Sequence, residues 1–343
     1  MPLFRKKSPP AAPAQTPAAP EPPVPPFSGD KAALYFQEQL AAGRWQEFHD
    51  FLEASPDWDL RHFYVNGLAD ITGRPPWLDE WVAAHPVSAL PLLFRGRHAT
   101  HWAWQARGSG RANTVKEDAW QVFHTRIVAA DQDLARAAVL DDRDPTTYAF
   151  SITTGRALSL GQPEIRRRYA EVARRDPLNG GATAEMIQAT ARKWGGSHDG
   201  MFAFAREVSA AAPDGHSAHK AVALAHIEMW LDQPREEQPR YFLADEVKAE
   251  IRAAADRSIR SPRYHRVNSV LMWSDRNVFT FCFRLMQDYE AQLAQMQIIG
   301  PWITKSPWNY QGKPGMIYER ARQRALTELS KMPPPVSGGR PAL

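Results

Sequence analysis

The sequence predicts an all-α fold, an array of antiparallel helix hairpins stacked as an α-solenoid. Three observations predict it. Ile187, Ala191 and Trp194 fall at i, i+4 and i+7, and Met201, Phe204, Ala205 and Val208 restart such a stripe beyond Gly195-Gly196. Asp144-Pro145, Asp176-Pro177 and Pro213-Asp214 recur with their prolines 32 and 36 residues apart, a period typical of helix-hairpin arrays. The 343 residues are 43% hydrophobic and include 12 Trp, ample for a long stacked core.

The turn at residues 192–200 is the reference unit. Gly195 and Gly196 allow the left-handed backbone that ends a helix. Ser197 is placed to cap the next one, and Asp199 lies near its positive end.

The other elements follow in order. Residues 1–28 are Pro- and Ala-rich and are expected to be a disordered, polyproline-like tail. The helical domain is expected over 29–330. Leu34, Phe36 and Leu40 precede Gly43, and Trp45, Phe48 and Leu52 follow it, a first hairpin closed by Pro56. Leu60, Phe63, Tyr64, Leu68 and Ile71 predict a helix ended by Gly73-Arg74-Pro75-Pro76. Trp77, Trp81 and Val82 form a short piece stopped at Pro86. Residues 89–110 are rich in aromatics and end at Gly108-Ser109-Gly110. A long helix is expected from Thr114 to Leu140.

The middle unit runs from Thr147 through a Gly161-Gln162-Pro163 break to Pro177. Ala221, Leu224, Ala225, Ile227 and Trp230 predict a helix, followed by a polar two-proline loop at 232–239. Val247, Ile251, Ala254 and Ile259 give another. Val267, Val270, Leu271 and Trp273 are expected to form one more. Phe279, Phe283 and Leu285 with Leu293, Met296 and Ile299 make the last hairpin. Residues 301–314, with two Trp and a Tyr, are expected to cap the array. Ile317 to Leu329 is a terminal amphipathic helix, and 331–343 a disordered tail.

The second half of the middle unit resembles the tetratricopeptide repeat. Tyr169 and Val172 stand one turn apart, and Asp176-Pro177 ends the unit, with Pro177 expected to open the next helix. Three further segments, Trp102 to Gly108, Lys193 to Arg206 and Pro307 to Tyr310, resemble an uncharacterised bacterial family, domain of unknown function 4034. That resemblance implies an all-helical, tetratricopeptide-like fold and no particular activity.

Composition narrows the function classes. The one cysteine, Cys282, excludes an intramolecular disulfide and any zinc site of two or more thiolates. Its apolar neighbours Phe281 and Phe283 predict a buried, inert thiol. The basic start at Arg5-Lys6-Lys7 has no apolar run behind it, so it does not read as a signal peptide. No stretch reaches the length of a membrane helix. A cytoplasmic location is expected. The formal charge is +4, but residues 1–28 and 331–343 each carry +2, leaving 29–330 neutral. A neutral body makes nucleic acid an unlikely partner.

Four side-chain groups carry residue types that could do chemistry. His98 and His101, with Arg95, Arg97 and Arg107, flank Trp102 and Trp104. They read as a solvated basic face, with an anion-holding pocket as the alternative. His216 and His219 at i, i+3, with His226 two turns on, lack the Glu of a metalloprotease helix and read as surface residues. Arg166, Arg167, Arg168, Arg174 and Arg175 read as a solvated helix face, with RNA binding as the alternative. Gly195-Gly196-Ser197 lacks the spacing and lysine of a phosphate loop.

No catalytic residue, metal ligand or cofactor is therefore expected. Hairpin arrays hold partner segments on their concave side. The predicted register places Thr147, Phe150 and Thr154 there, then Met186, Thr190 and Lys193, with Arg156 and Arg192 at the edge and Arg107 nearby. The expected function is a binding module or scaffold for a protein or peptide. The alternatives are an enzyme with a pocket at His98, His101 and Arg107, or an RNA-binding array.

Overall fold

Helix signals dominate the sequence, and the computed structural model, which describes residues 21–108 and 115–331, carries them through as sixteen α-helices. In chain order they are α1 Lys31–Ala41, α2 Gln46–Ala54, α3 Trp58–Leu68, α4 Trp77–Ala84, α5 Leu90–Arg107 and α6 Glu117–Leu140. Then come α7 Pro145–Ala157, α8 Gln162–Arg175, α9 Gly180–Thr190, α10 His198–Ala211 and α11 Lys220–Asp232. The last five are α12 Gln238–Tyr241, α13 Asp245–Asp256, α14 Leu271–Leu285, α15 Tyr289–Ile299 and α16 Pro314–Ser330. Among the described residues there is no strand. No described helix is long and apolar enough to cross a membrane.

Local chemistry sets several helix starts. The side chains of Asp30, Asp57, Asp144, Asn179 and Ser197 each accept from a backbone N–H in the first turn of the helix they precede. Such caps satisfy donors that a helix start leaves without internal partners. Pro145 opens α7 directly behind its Asp144 cap.

Several expected boundaries shift; α13 stops at Asp256, short of Ile259, and α12 begins inside the expected 232–239 loop. Helix α9 ends at Thr190 rather than running on to Trp194. Ala191 is extended, and Arg192–Trp194 is a separate 3-10 turn closed by left-handed Gly195. Gly196 is needed for close approach: a Cβ there would lie 1.9 Å from the Thr190 carbonyl oxygen. Pro177 does not open α9, because Asn179 caps it two residues later. Residues 267–270 are turns, with Val267 exposed, and α14 begins at Leu271. Helix α3 stops at Leu68, before Ile71.

The helices pack as antiparallel neighbours in two rows. Gly96 of α5 meets Leu134 of α6, while Trp104 meets Phe123 near the other end. Gly155 of α7 meets Ile165 of α8, and Tyr148 meets Arg175. Helices α5, α7, α9, α11 and α14 touch one another in turn, skipping one helix at each step except the last, where α12 and α13 intervene. That is one row; α6, α8, α10 and α13 form the other, linked by Asp131 with Arg168, Tyr169 with Phe204 and Arg206 with Glu250.

Helix α3 lies against α5, α7 and α9 together. The His62 ring sits 4.5 Å from that of Phe150. Gly181 lets this helix come close, since a Cβ there would lie 2.4 Å from His62 Nδ1. The chain therefore covers part of the α5–α7–α9 row with a helix from earlier in its own sequence.

Early and late segments also meet. Arg266 pairs with Asp59 of α3 and with Asp275 of α14. The expected tail boundary near residue 28 moves as well. Residues 21–29 lie against the body: Gly315 packs under the Pro22 carbonyl, Gly29 under Trp302, and Phe27 against Gly67. Phe27 and Val24 supply apolar contact that a bare Pro/Ala tract lacks. Residues 1–20, 109–114 and 332–343, where the rest of the expected tails falls, lie outside the described residues.

Candidate functional site

The α5–α7–α9 row gathers charged side chains that a core normally excludes. Arg97 of α5 and Arg156 of α7 converge on Glu185 of α9. Their Nη2 atoms stand 3.7 Å from Oε1 and Oε2 respectively. Arg156 is the sole charge in α7, and Glu185 the sole charge in α9. Helix α3 contributes Asn66, whose Oδ1 accepts from Arg97 Nε at 2.9 Å and also from Nη2.

Aromatic rings wall the cluster. The Arg97 guanidinium lies 4.6 Å from the centre of Phe150, and that of Arg156 5.2 Å from Trp194. Trp194 meets Trp104 edge-on at 5.9 Å, and Arg107 covers Trp104 and Trp120. The side chains of Arg97, Arg156 and Glu185 retain 9%, 11% and 15% of their surface. They are recessed yet still touch solvent.

Two opposed effects set the charges. Burial pushes the Glu185 carboxyl up, but Arg156 and Arg97 outweigh it and hold the group below its usual range. Glu185 is therefore ionised at neutral pH. Burial, and then the charge of Arg97, lower His62 to about 4. The same two causes lower His101 to about 4. Both rings are neutral at pH 7, so among the buried groups two guanidiniums face one carboxylate, while the exposed Asp70 carboxylate also acts on Arg97 and His101.

The pairing is also incomplete. A separation of 3.7 Å exceeds hydrogen-bond length. Arg97 Nη1, Arg156 Nε and Nη1, and Trp194 Nε1 are all buried and make no hydrogen bond within the chain. Buried donors are rarely left so.

No family model, curated protein or solved structure matches this chain. The site must therefore be judged on its own residues.

The sequence-predicted binding residues divide. Thr147, Phe150, Met186 and Thr190 are buried, at 0 to 2% exposure, so the expectation that they line an open face is corrected. Helix α3 and the neighbouring helices of the same row cover them, and the Thr190 hydroxyl donates to its own Met186 carbonyl. Thr154 is buried too. Phe150 and Arg156 do belong to the cluster. Arg107 joins its edge through Trp104. Arg192 and Lys193 are exposed beside it, paired with Asp232 and Glu228.

The His98, His101 and Arg107 pocket is not assembled. His98 Nδ1 contacts the Ala69 carbonyl, and His101 Nε2 that of Asn66, both on the α3 side. Arg107 lies nine residues past His98, about half a turn around the helix, and faces Trp120 of α6. The group is also not a solvated face, because Arg97 and His98 are buried and Arg95 is bound by Asp133 and Asp79.

The histidine series separates likewise. His216 stacks on His265 at 4.4 Å, His219 contacts Ser209 and the Pro213 carbonyl, and His226 contacts Tyr241 and Glu250. These are buried or half-buried side chains, not surface ones. Among the described residues no group of three metal-ligating side chains forms. Most of the arginine run is bound internally. Arg167 and Arg168 bind Glu164, Arg168 also binds Asp131, and Arg174 and Arg175 pair with Glu171. Cys282 is fully buried, and burial pushes its thiol well above the usual range.

Sequence reasoning missed His62, Asn66 and Glu185. The available signal was a lone charge in each of two otherwise uncharged helices. His62 and Asn66 gave none, because their role depends on where α3 lands.

The lowered histidines predict an acid-sensitive fold. His62, His101 and His216 each fall from 6.5 to about 4. Between those values the unfolded chain holds more protons than the folded one. Stability is thus intact above about pH 6.5 and falls as pH drops toward 4. Each histidine contributes a slope of up to about 1.4 kcal/mol per pH unit. Urea midpoints at pH 7 and pH 4.5 measure this, and equal midpoints contradict it.

Proposed function

We propose that this chain is a non-catalytic binding module that holds a segment of a protein partner at the recessed cluster of Arg156, Glu185 and Trp194. The observation that carries the reading is the set of buried guanidinium donors left unused by the fold at a place that reaches solvent. Leaving such donors without acceptors costs about 1–3 kcal/mol each. A ligand that supplies acceptors recovers that cost on binding. Arg192 and Lys193, exposed at the rim in ion pairs with Asp232 and Glu228, are the charged groups an approaching partner meets first.

We read the helix rows as a tetratricopeptide-like solenoid. What supports this is the alternation of helices between the two rows and the Asp-Pro recurrence. The likeness to domain of unknown function 4034 rests on the segments around Trp104, Trp194 and Trp308, two of which meet at the cluster. The protein is expected to act in the cytoplasm.

The test begins with recovery and identification of a partner by the full chain, followed by affinity measurement with purified components. Arg192→Glu at the rim and Arg156→Gln in the cluster are each expected to weaken binding by about tenfold or more. Unchanged affinity in both variants overturns the proposal.

A further inference from the structure

The ligand group that complements the cluster can be named from the cluster's charge and donors. We propose that Arg97 and Arg156 together bind a carboxylate supplied by the ligand, beside the protein's own Glu185. This deepens the partner-binding reading and rests on the same cluster.

Three observations carry it. First, every unpaired nitrogen on Arg97, Arg156 and Trp194 is an N–H donor, so the complementary atom is an acceptor oxygen. Second, the charge is matched. Among the buried groups, two guanidiniums, one ionised Glu185 and neutral His62 leave a single positive charge, which one carboxylate cancels; Asp70, which also acts on Arg97, is exposed and screened by water. A dianionic phosphate would leave a buried negative charge, which is costly in a low-dielectric site. Third, Glu185 already demonstrates the preference. The two guanidiniums flank its two oxygens at 3.7 Å each, close enough for charge and too far for hydrogen bonds. The ligand's carboxylate takes the hydrogen bonds that Glu185 leaves unmade, in the paired geometry guanidiniums favour.

Glu185 then has a defined part. It keeps the two arginines from repelling one another in the free protein and weakens the site for any incoming anion. Its removal by the isosteric Glu185→Gln substitution raises the site to two positive charges.

The experiment is isothermal titration calorimetry of the full chain at pH 8. The probes are sodium propionate, tetra-alanine with a free C-terminus, its C-terminal amide and inorganic phosphate. Wild type is expected to bind propionate or tetra-alanine saturably. The amide and the phosphate dianion are expected to be silent. Propionate without tetra-alanine identifies a side chain or free acid as the source. Tetra-alanine tighter than propionate identifies a peptide terminus. Glu185→Gln is expected to tighten carboxylate binding by about tenfold, and Arg156→Gln to abolish it.

The proposal is overturned if neither carboxylate binds wild type or Glu185→Gln, if Glu185→Gln leaves affinity unchanged or weakens it, or if phosphate binds wild type as tightly as propionate. A partner that still loses affinity on Arg192→Glu while all carboxylates fail leaves the binding-module reading standing and removes only the carboxylate. Matching far-ultraviolet circular dichroism of the variants guards against misfolding, and the tightening expected of Glu185→Gln cannot come from an unfolded chain.

Discussion

Trp308→Ala is expected to lower the free energy of unfolding by about 3–5 kcal/mol, the range for large aromatic deletions in packed cores. Trp308 follows the last helix pair and has no exposed surface. Its indole meets Phe281 edge-on at 5.4 Å and Tyr318 at 5.0 Å, so it joins α14 to α16. Its Nε1 donates to Asn277 Oδ1 at 2.8 Å. Truncation therefore opens a cavity and also strands a buried acceptor. Urea unfolding followed by circular dichroism measures the loss, provided the slope with denaturant is unchanged. Trp308→Phe restores part of the volume without the donor, so an intermediate loss is expected. A loss under about 1 kcal/mol for Trp308→Ala means the 301–314 segment is not holding the C-terminal helices together.

Asp275→Ala is expected to cost a similar about 3–5 kcal/mol, by a different mechanism. Asp275 is fully buried at the start of α14. It accepts from Lys220 Nζ at 2.5 Å, from Tyr264 Oη at 2.6 Å and from Arg266 Nη1 at 3.2 Å. Burial pushes its carboxyl up, but Lys220 and Arg266 outweigh this and hold it below the usual range. Removing it leaves two recessed cations facing one another. Arg266 would retain only Asp59, the contact that ties α3 to the late helices. Hydrogen exchange is expected to show α3 and α14 loosening together. If Asp275→Ala alters stability but leaves exchange in α3 unchanged, the network is local to the C-terminal half.

Much of the fold was legible in the residues. The Gly43 hairpin, the α7–α8 break at Gly161 and the Ser197 cap all follow from side-chain spacing and turn chemistry, which act over a few residues. Boundaries failed where a nearby group competed. Asn179 captured the start of α9 ahead of Pro177, and the close approach of Gly196 to Thr190 cut α9 short. The site was legible only in part. Arg156, Phe150 and Trp194 stood out in the sequence, but their meeting with Glu185 did not.

The sequence by itself determined that this chain is helical, where several of its helices begin, and that Cys282 lies in an apolar interior. Those properties depend on neighbours within one or two turns. Only the tertiary structure decided that α3 covers part of the α5–α7–α9 row, that Thr147, Phe150, Met186 and Thr190 are shielded, and that Arg97 and Arg156 share one carboxylate. Apolar faces specify that they must be covered without specifying by what. The choice depends on contacts between residues scores to hundreds of positions apart, such as Asp59 with Arg266, which leave no periodic trace in the chain.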